Sequence, residues 1–375
     1  MKNPFVTNGY VSPEYFCDRE KETAKIVSLL TNENNIALIS PRRLGKTDLL
    51  RHCFGQPEIK EHYHTFIIDI YATSSVRDFV NVFGKAVLDE LRPKGKSVWG
   101  TFLNVLASLR SEITFDMNGQ PTWGIGLGAI TNPSATLDEI FSYLNNAGKP
   151  CLIAIDEFQQ ITKYADDPNI EAALRTHIQR CSNAHFVFSG SHRHLMGAMF
   201  TSPARPFYQS VTLINLPPIS VDKYAEFCLR HFERASKHLD TLVVTELYER
   251  FNGITSYMQK VMNILFSMTG TGEICIPSMI DTAINDLLDF SADTYDALLY
   301  QMPEKQRIVF MAIAAEGKAK AISSGDFVRK YKLQSASSVS SAVKGLLEKD
   351  LSLIHISEPT RYDQFFQLWL QRNKL

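Results

Sequence analysis

One octapeptide constrains this chain more than any other feature. Ser40-Pro41-Arg42-Arg43-Leu44-Gly45-Lys46-Thr47 follows the apolar run Asn35-Ile36-Ala37-Leu38-Ile39, and helix-like sequence begins at Thr47. An apolar strand, a tight loop and a helix start form a cradle for an anion. The first N–H groups of the helix have no intrahelical partner, and the helix dipole adds positive potential there. The octapeptide fits the phosphate-loop pattern G-x-x-x-x-G-K-[ST], except that Ser40 stands at the first glycine. Ser40 is therefore expected to bear a backbone geometry that glycine adopts more readily. Lys46 would reach the β- and γ-phosphates of a nucleotide, and the Thr47 hydroxyl would ligate Mg²⁺. Alone, the octapeptide fits equally well a strand followed by a basic, capped helix, so the reading needs a partner motif.

That partner is Cys151-Leu152-Ile153-Ala154-Ile155-Asp156-Glu157, roughly 110 residues further on. An apolar strand ending in Asp-Glu places two carboxylates at the edge of a buried sheet. Asp156 would hold Mg²⁺ through water and Glu157 would polarise an attacking water, as ATP hydrolysis requires. Two solvated acids at a strand end, or in a helix first turn, are the bland alternative. The two motifs in this order argue against coincidence.

The surrounding pattern supplies a fold for them. His64 to Ile70, Ala184 to Phe188 and Val211 to Leu216 are further strand candidates, and Val76 to Leu91 carries apolar residues at helical spacing. Strands alternating with helices predict an α/β domain with a mainly parallel sheet, because strands buried on both faces read as continuous apolar runs. Asn118-Gly119 between Glu112–Asp116 and Pro121–Leu127 predicts an inserted hairpin. Pro217-Pro218 and Pro303 are boundaries. After the first, Val221 to Ala235, Asp240 to Phe251 and Thr255 to Met268 read as helices. After the second, Lys305 to Ala315, Ser323 to Tyr331 and Ser335 to Lys349 form the three helices of a winged-helix module. The expected organisation is a P-loop ATPase domain over 1–216, a helical lid over 217–290 and a winged-helix-like domain over 291–375.

Composition removes several classes. Apolar residues make up 45% of the 375, and 39 basic residues balance 40 acidic ones, which excludes a disordered chain and a protein held to nucleic acid by overall charge. No apolar run approaches the roughly 18–20 residues that cross a bilayer. Met1 to Phe16 has no signal-peptide apolar core, so a cytoplasmic location is expected. The six cysteines are far apart and read as buried reduced thiols. His192 and His194 lack a third ligand and are read as non-metal.

Four more segments give the chain a family resemblance. Phe16-Cys17-Asp18-Arg19-Glu20, with Glu22 after it, resembles the N-terminal "F-x-x-R-E" box of the archaeal-type ATPase family, a P-loop NTPase group near AAA+ and STAND proteins with bacterial members. Pro41-Arg42-Arg43 resembles its "P-R-R-x-G-K-T" loop, Ser189-Gly190-Ser191 the end of its sensor-1 strand, and Tyr362 to Leu370 its C-terminal aromatic segment. The resemblance implies that Phe16 and Arg19 lie near the adenine and that Ser191 senses the γ-phosphate. It assigns catalytic roles to Glu157, Lys46 and Ser191. Nucleotide contacts fall to Phe16, Arg19, Ser40, Pro41, Arg42, Arg43, Leu44, Gly45, Lys46 and Thr47, and the Mg²⁺ site to Thr47 and Asp156. Where the family often carries an arginine before its fifth core strand, the nearest here is Arg205, read as a surface arginine before a proline. Asn252 to Gln259 resembles the lid segment and holds no sensor arginine.

Two functions follow. One is a Mg²⁺-dependent ATPase whose hydrolysis moves the lid. The other is a slow nucleotide-dependent switch that grips DNA or a partner protein. Pro303 to Asp350 carries nine basic against five acidic residues, a modest excess for a DNA-binding face. The serine-rich stretch Ser335 to Lys344 suits a recognition helix or a packing helix. Leu351 to Arg361 stands where a wing hairpin belongs. It lacks a glycine-centred turn, carries Pro359, and reads as translated sequencing-adapter sequence.

Overall fold

The computed structural model describes residues 2–91, 113–115, 121–123, 132–316, 321–348 and 364–373, with backbone alone for 113–115, 121–123 and 347–348. The segment 351–361 and the turn Asn118-Gly119 lie outside the described residues. The chain divides into two units. One comprises Arg19–Ser40 and Lys46–Pro217, the other Met1–Asp18, Pro41–Gly45 and Pro218–Leu375.

The first unit runs α1 (Glu20–Thr31), β1 (Ile36–Ile39), α2 (Lys46–Phe54), α3 (Pro57–His62), β2 (His64–Asp69), α4 (Val76–Leu91), β3 (Ile113–Phe115), β4 (Pro121–Trp123), α5 (Pro133–Asn145), β5 (Cys151–Asp156), α6 (Ile170–Arg180), β6 (Ala184–Gly190), α7 (Arg193–Thr201) and β7 (Thr212–Asn215). Five strands form one parallel sheet in the order β2-β5-β6-β1-β7. Every residue of β1, β5 and β6 is buried, as their mainly apolar character requires of central strands covered on both faces. β3 and β4 pair antiparallel, Ile113 opposite Trp123, as the Asn-Gly turn predicts. Local chemistry sets the helix starts: α5 begins at Pro133 after Asn132, whose side chain accepts from the Ala135 N–H.

One register detail positions the chemistry. β6 lies between β1 and β5, with Ile39 beside Gly190 and Ile155 beside Phe188. The carboxyl ends of β1, β5 and β6 therefore finish along one edge of the sheet. That is where open α/β sheets bind ligands. Beneath it Phe158, Phe188, Phe200 and Phe207 form an aromatic cluster, the Phe158 and Phe188 centroids 4.4 Å apart. Burying each such ring is worth about 1.5–3 kcal/mol.

The second unit is mostly helical: α8 (Val221–Arg234), β8 (His238–Leu239), α9 (Thr241–Phe251), α10 (Thr255–Met268), β9 (Ile274–Cys275), α11 (Ile280–Tyr300), α12 (Glu304–Glu316), α13 (Gly325–Lys330), α14 (Ala336–Glu348) and α15 (Gln364–Arg372). Ser220, Asp240 and Ser324 cap α8, α9 and α13 with side-chain oxygens. β8 and β9 pair in parallel, an addition to the all-helical pattern expected there. Phe5 from the N-terminal segment is fully buried among Phe227, Phe232 and Phe266. Phe366 and Trp369 of α15 pack on Tyr295 of α11. All six cysteines are free and buried, and burial pushes the thiols of Cys53 and Cys151 up to about 12. Such thiols are inert packing groups, as the sequence reading expected. Among the described residues no helix is long and apolar enough to cross a membrane.

Candidate functional site

The site in the first unit is built from three strand ends and one helix start. Ser40 follows β1 directly and is fully buried, its N–H donating to the Gly190 carbonyl at 3.3 Å. Lys46 opens α2 and is only 7% exposed. Its ammonium donates to the Ser40 carbonyl at 2.9 Å. The next residue, Thr47, donates its hydroxyl to Asp156 Oδ2 at 2.5 Å. Asp156 is the last residue of β5 and is buried. Its other oxygen accepts from the Glu157 N–H at 3.0 Å.

Glu157 then takes a left-handed backbone, φ 55° and ψ 39°, and caps the 3₁₀ turn Phe158–Lys163. This sparsely populated geometry turns the chain sharply away from the strand. Glu157 Oε2 accepts from the Ser191 hydroxyl at 2.9 Å and from the Gln159 amide. The structure thus brings together Ser40, Lys46, Thr47, Asp156, Glu157 and Ser191 of the sequence-derived set. Asp69 joins the same sheet edge, in register with Asp156. Desolvation holds its carboxyl above the ordinary range against the Tyr71 N–H, and the nearby charges of Asp156 and Glu157 add to the rise. Sequence reading passed over Asp69 and Gln159, since neither belongs to either motif. The signals available were an acid ending a second strand and an amide two residues after Glu157.

Arg19 is buried at the N-terminus of α1 with φ 75°, its guanidinium 3.1 Å from Glu22. The box motif is therefore an internal ion pair as well as a sequence signature. Arg205 is about one-third exposed, 32% by side chain. It forms an ion pair with Glu171, which is 8% exposed. Burial raises the Glu171 carboxyl and Arg205 opposes the rise.

Phe16 and Pro41–Gly45 belong to the second unit. Phe16 is half-buried against Tyr10, centroids 5.7 Å apart. The glycine-like backbone geometry expected at Ser40 falls instead on Arg43, φ 69°, and Gly45, φ 82°. Serine is therefore accommodated at position 40 without positive φ. Arg43 donates to the Tyr257 hydroxyl and lies over the Tyr257 ring, 5.0 Å from its centroid. Its carbonyl accepts from the Ser256 N–H at 3.1 Å, and the Tyr257 hydroxyl also accepts from the Gln364 N–H at 3.0 Å. Tyr257 lay in the segment read as the lid, where nothing in the sequence marked its partners.

The donor set fits Mg²⁺. A hydroxyl and a carboxylate stand in contact at one sheet edge, and Mg²⁺ takes one or two such hard oxygens with phosphates and water completing the shell. Among the described residues no group of three or more His, Cys, Asp or Glu side chains is placed to hold a metal, so a soft or all-protein centre finds no ligands there.

The sheet order and this constellation define a P-loop ATPase. Residues 16–261 match the family model described as an ATPase domain predominantly from Archaea, and residues 293–372 one described as a "probable winged helix domain". The chain belongs to that archaeal-type ATPase family and is a nucleotide-binding ATP hydrolase with a C-terminal winged-helix domain. A Walker-type ATPase of Pyrococcus abyssi is similar in structure at TM-score 0.60 and 17% identity, over 98% of this chain and 99% of that one. The ORC1 protein of Aeropyrum pernix, in complex with DNA, matches at 0.55 and 14%, over 90% and 84%. The ORC2 protein of the same organism, in its ADPNP–ADP complexes, matches at 0.54 and 13%, over 99% and 88%. At these identities the likeness establishes the fold. No curated protein sequence is similar to the chain.

Proposed function

We propose that the chain is a Mg²⁺-dependent ATPase in which hydrolysis moves a lid formed by 217–290, with 1–216 as the nucleotide domain and 291–375 as a partner-binding winged helix. The contact between Thr47 and Asp156 carries the reading. It joins the two motifs at the one place where a metal-bound phosphate needs a hydroxyl and a carboxylate. Thr47 and Asp156 would hold Mg²⁺, which when bound neutralises phosphate charge. Lys46 trades its bond to the Ser40 carbonyl for the β- and γ-phosphates, and the N–H groups of Arg42 to Thr47 cradle them. Phe16 and Arg19 serve the adenine end, and Ser191 senses the γ-phosphate.

Glu157 orients and deprotonates water. The water oxygen bonds to the γ-phosphorus while the bond to the bridging oxygen breaks and its electron pair leaves with ADP. The proton passes to Glu157 and then to the released phosphate. Replacing Glu157 with Gln tests this: ATP binding persists and turnover falls about 10²-fold, the usual worth of a positioned base. Turnover at the wild-type rate refutes the role.

The second reading, a slow binding switch, draws on Arg205, whose pairing with Glu171 leaves it engaged within the domain. Added partner would then accelerate turnover. For the partner, the winged helix and the ORC1–DNA likeness support DNA. The charges favour a protein: Lys330 pairs with Glu316 at 2.6 Å, and Arg329 with Asp326. Fluorescence anisotropy of the full chain with duplex DNA separates them, since binding through phosphates weakens steeply with salt.

A further inference from the structure

The base assigned to Glu157 needs its carboxylate held in one orientation, and the structure contains a device for doing so. Gln159 sits in the first turn after Glu157 and is 3% exposed. Its Nε2 donates to Glu157 Oε2, the oxygen that also accepts from Ser191. Two donors on one oxygen leave Oε1 without a hydrogen bond from any described residue.

The turn carrying Gln159 is firmly anchored. Phe158 packs into the aromatic cluster, the Gln160 amide donates to the Thr73 carbonyl at 2.9 Å, and the Gln159 carbonyl accepts from the Thr162 hydroxyl at 2.8 Å. Across from it, Gly190 makes room. A Cβ there would overlap the Gln159 amide oxygen and the Met196 side chain. Gly190 is not in the positive-φ region, so it is space and not backbone freedom that calls for glycine. Finally, Gln159 Oε1 is buried with no hydrogen-bond partner among the described residues. A buried acceptor left unpaired is a net cost to folding, one that an apolar side chain of similar size would not incur.

We propose that Gln159 is a positioning residue for ATP hydrolysis. It fixes the Glu157 carboxylate so that Oε1 faces the water, and Gly190 is the residue that admits it. The inference rests on Glu157 being the base. A free glutamate side chain samples several rotamers, and holding one of them ready removes that entropy from the barrier.

The test replaces Gln159 with Leu in the full chain and measures nucleotide affinity, turnover and melting temperature. The expected result is ATP affinity within about twofold of wild type and turnover lowered about tenfold, the scale of losing one hydrogen bond to a charged group. The melting temperature stays level or rises, because the unpaired carbonyl is gone. In a Glu157→Gln background the Leu substitution should cost nothing further. A side chain that merely supports the fold behaves oppositely, lowering the melting temperature and costing the same factor in both backgrounds. Gly190→Ala supplies an independent route: by displacing Gln159 it should reproduce the loss of turnover. Wild-type turnover in Gln159→Leu, or equal losses in the two backgrounds, overturns the proposal. Should the Leu variant fail to fold, wild-type turnover in Gly190→Ala overturns it. If Glu157→Gln itself turns over normally, it is the assignment of the base that falls.

Discussion

Replacing Lys46 with Met separates binding from folding. Lys46 is 7% exposed and its ammonium is bonded to the Ser40 carbonyl, so much of its desolvation is already incurred in the nucleotide-free protein. When ATP binds, the charge exchanges one acceptor for a phosphate. A single charge pair about 4 Å apart at an effective dielectric near 20 is worth about 4 kcal/mol. Removing it should weaken ATP binding about 10³-fold, at ~1.4 kcal/mol per decade. Without nucleotide the effects oppose one another. The lost hydrogen bond, made by a charged donor, costs about 1.5–3 kcal/mol, while the relief of a buried charge returns a similar amount. Met is close to Lys in length, so no large cavity opens. Titration calorimetry should therefore show lost affinity, and a nucleotide-free melt should stay within a few degrees of wild type. Affinity within about threefold of wild type, with an unchanged melt, would refute the claim that Lys46 faces the phosphates.

Three further outcomes follow from named contacts. Gly45 has φ 82° and a Cβ there would meet nothing within 4 Å, so Gly45→Ala tests backbone strain alone and should cost about 1–2 kcal/mol in a denaturant melt; an unchanged midpoint would mean that the loop relaxes. Tyr257→Phe keeps the ring but removes the acceptor shared by Arg43 and the Gln364 N–H, so amide exchange at the start of α15 should quicken while α11 stays protected. Burial holds the imidazoles of His185 and His231 below their ordinary range. Each is then deprotonated more easily folded than unfolded, so their contribution is fully present above about pH 6.5 and is lost as pH falls through that value, the unfolded chain binding the proton first. The melting temperature should drop between pH 7 and 5.5, with a shallower slope in His185→Gln; a rise over that interval would contradict the sign.

The chemistry legible in the sequence was the part encoded contiguously. Asn35 to Thr47 and Cys151 to Glu157 each carry their own strand and their own polar groups, and the structure brings Ser40, Lys46, Thr47, Asp156 and Glu157 together at one sheet edge. What could not be read depends on register. Gly190 looks like an ordinary strand terminus until β6 is placed between β1 and β5 and its missing side chain meets Gln159. Asp69 becomes notable only when β2 is set beside β5. The expectation for Ser40 failed because the pattern names a glycine without saying which residue takes positive φ; here Arg43 and Gly45 do so. β8 and β9 have two residues each, too few for a period to show.

The same register explains why a serine rather than a longer side chain suffices at position 191. Because β6 is the strand next to β5, the residue following Gly190 emerges beside the carboxylates and not across a cleft from them. Its short hydroxyl reaches Glu157 Oε2 at 2.9 Å with little side-chain freedom to lose. Glu157, in turn, is itself the left-handed residue immediately after Asp156, so the two carboxylates meet different partners although they are neighbours in sequence. Asp156 accepts from Thr47, and Glu157 accepts from Ser191 and Gln159. The left-handed backbone at Glu157 thus sends two adjacent carboxylates to different partners, and in the proposed mechanism it is this geometry, more than the identity of either acid, that would divide metal holding from water activation.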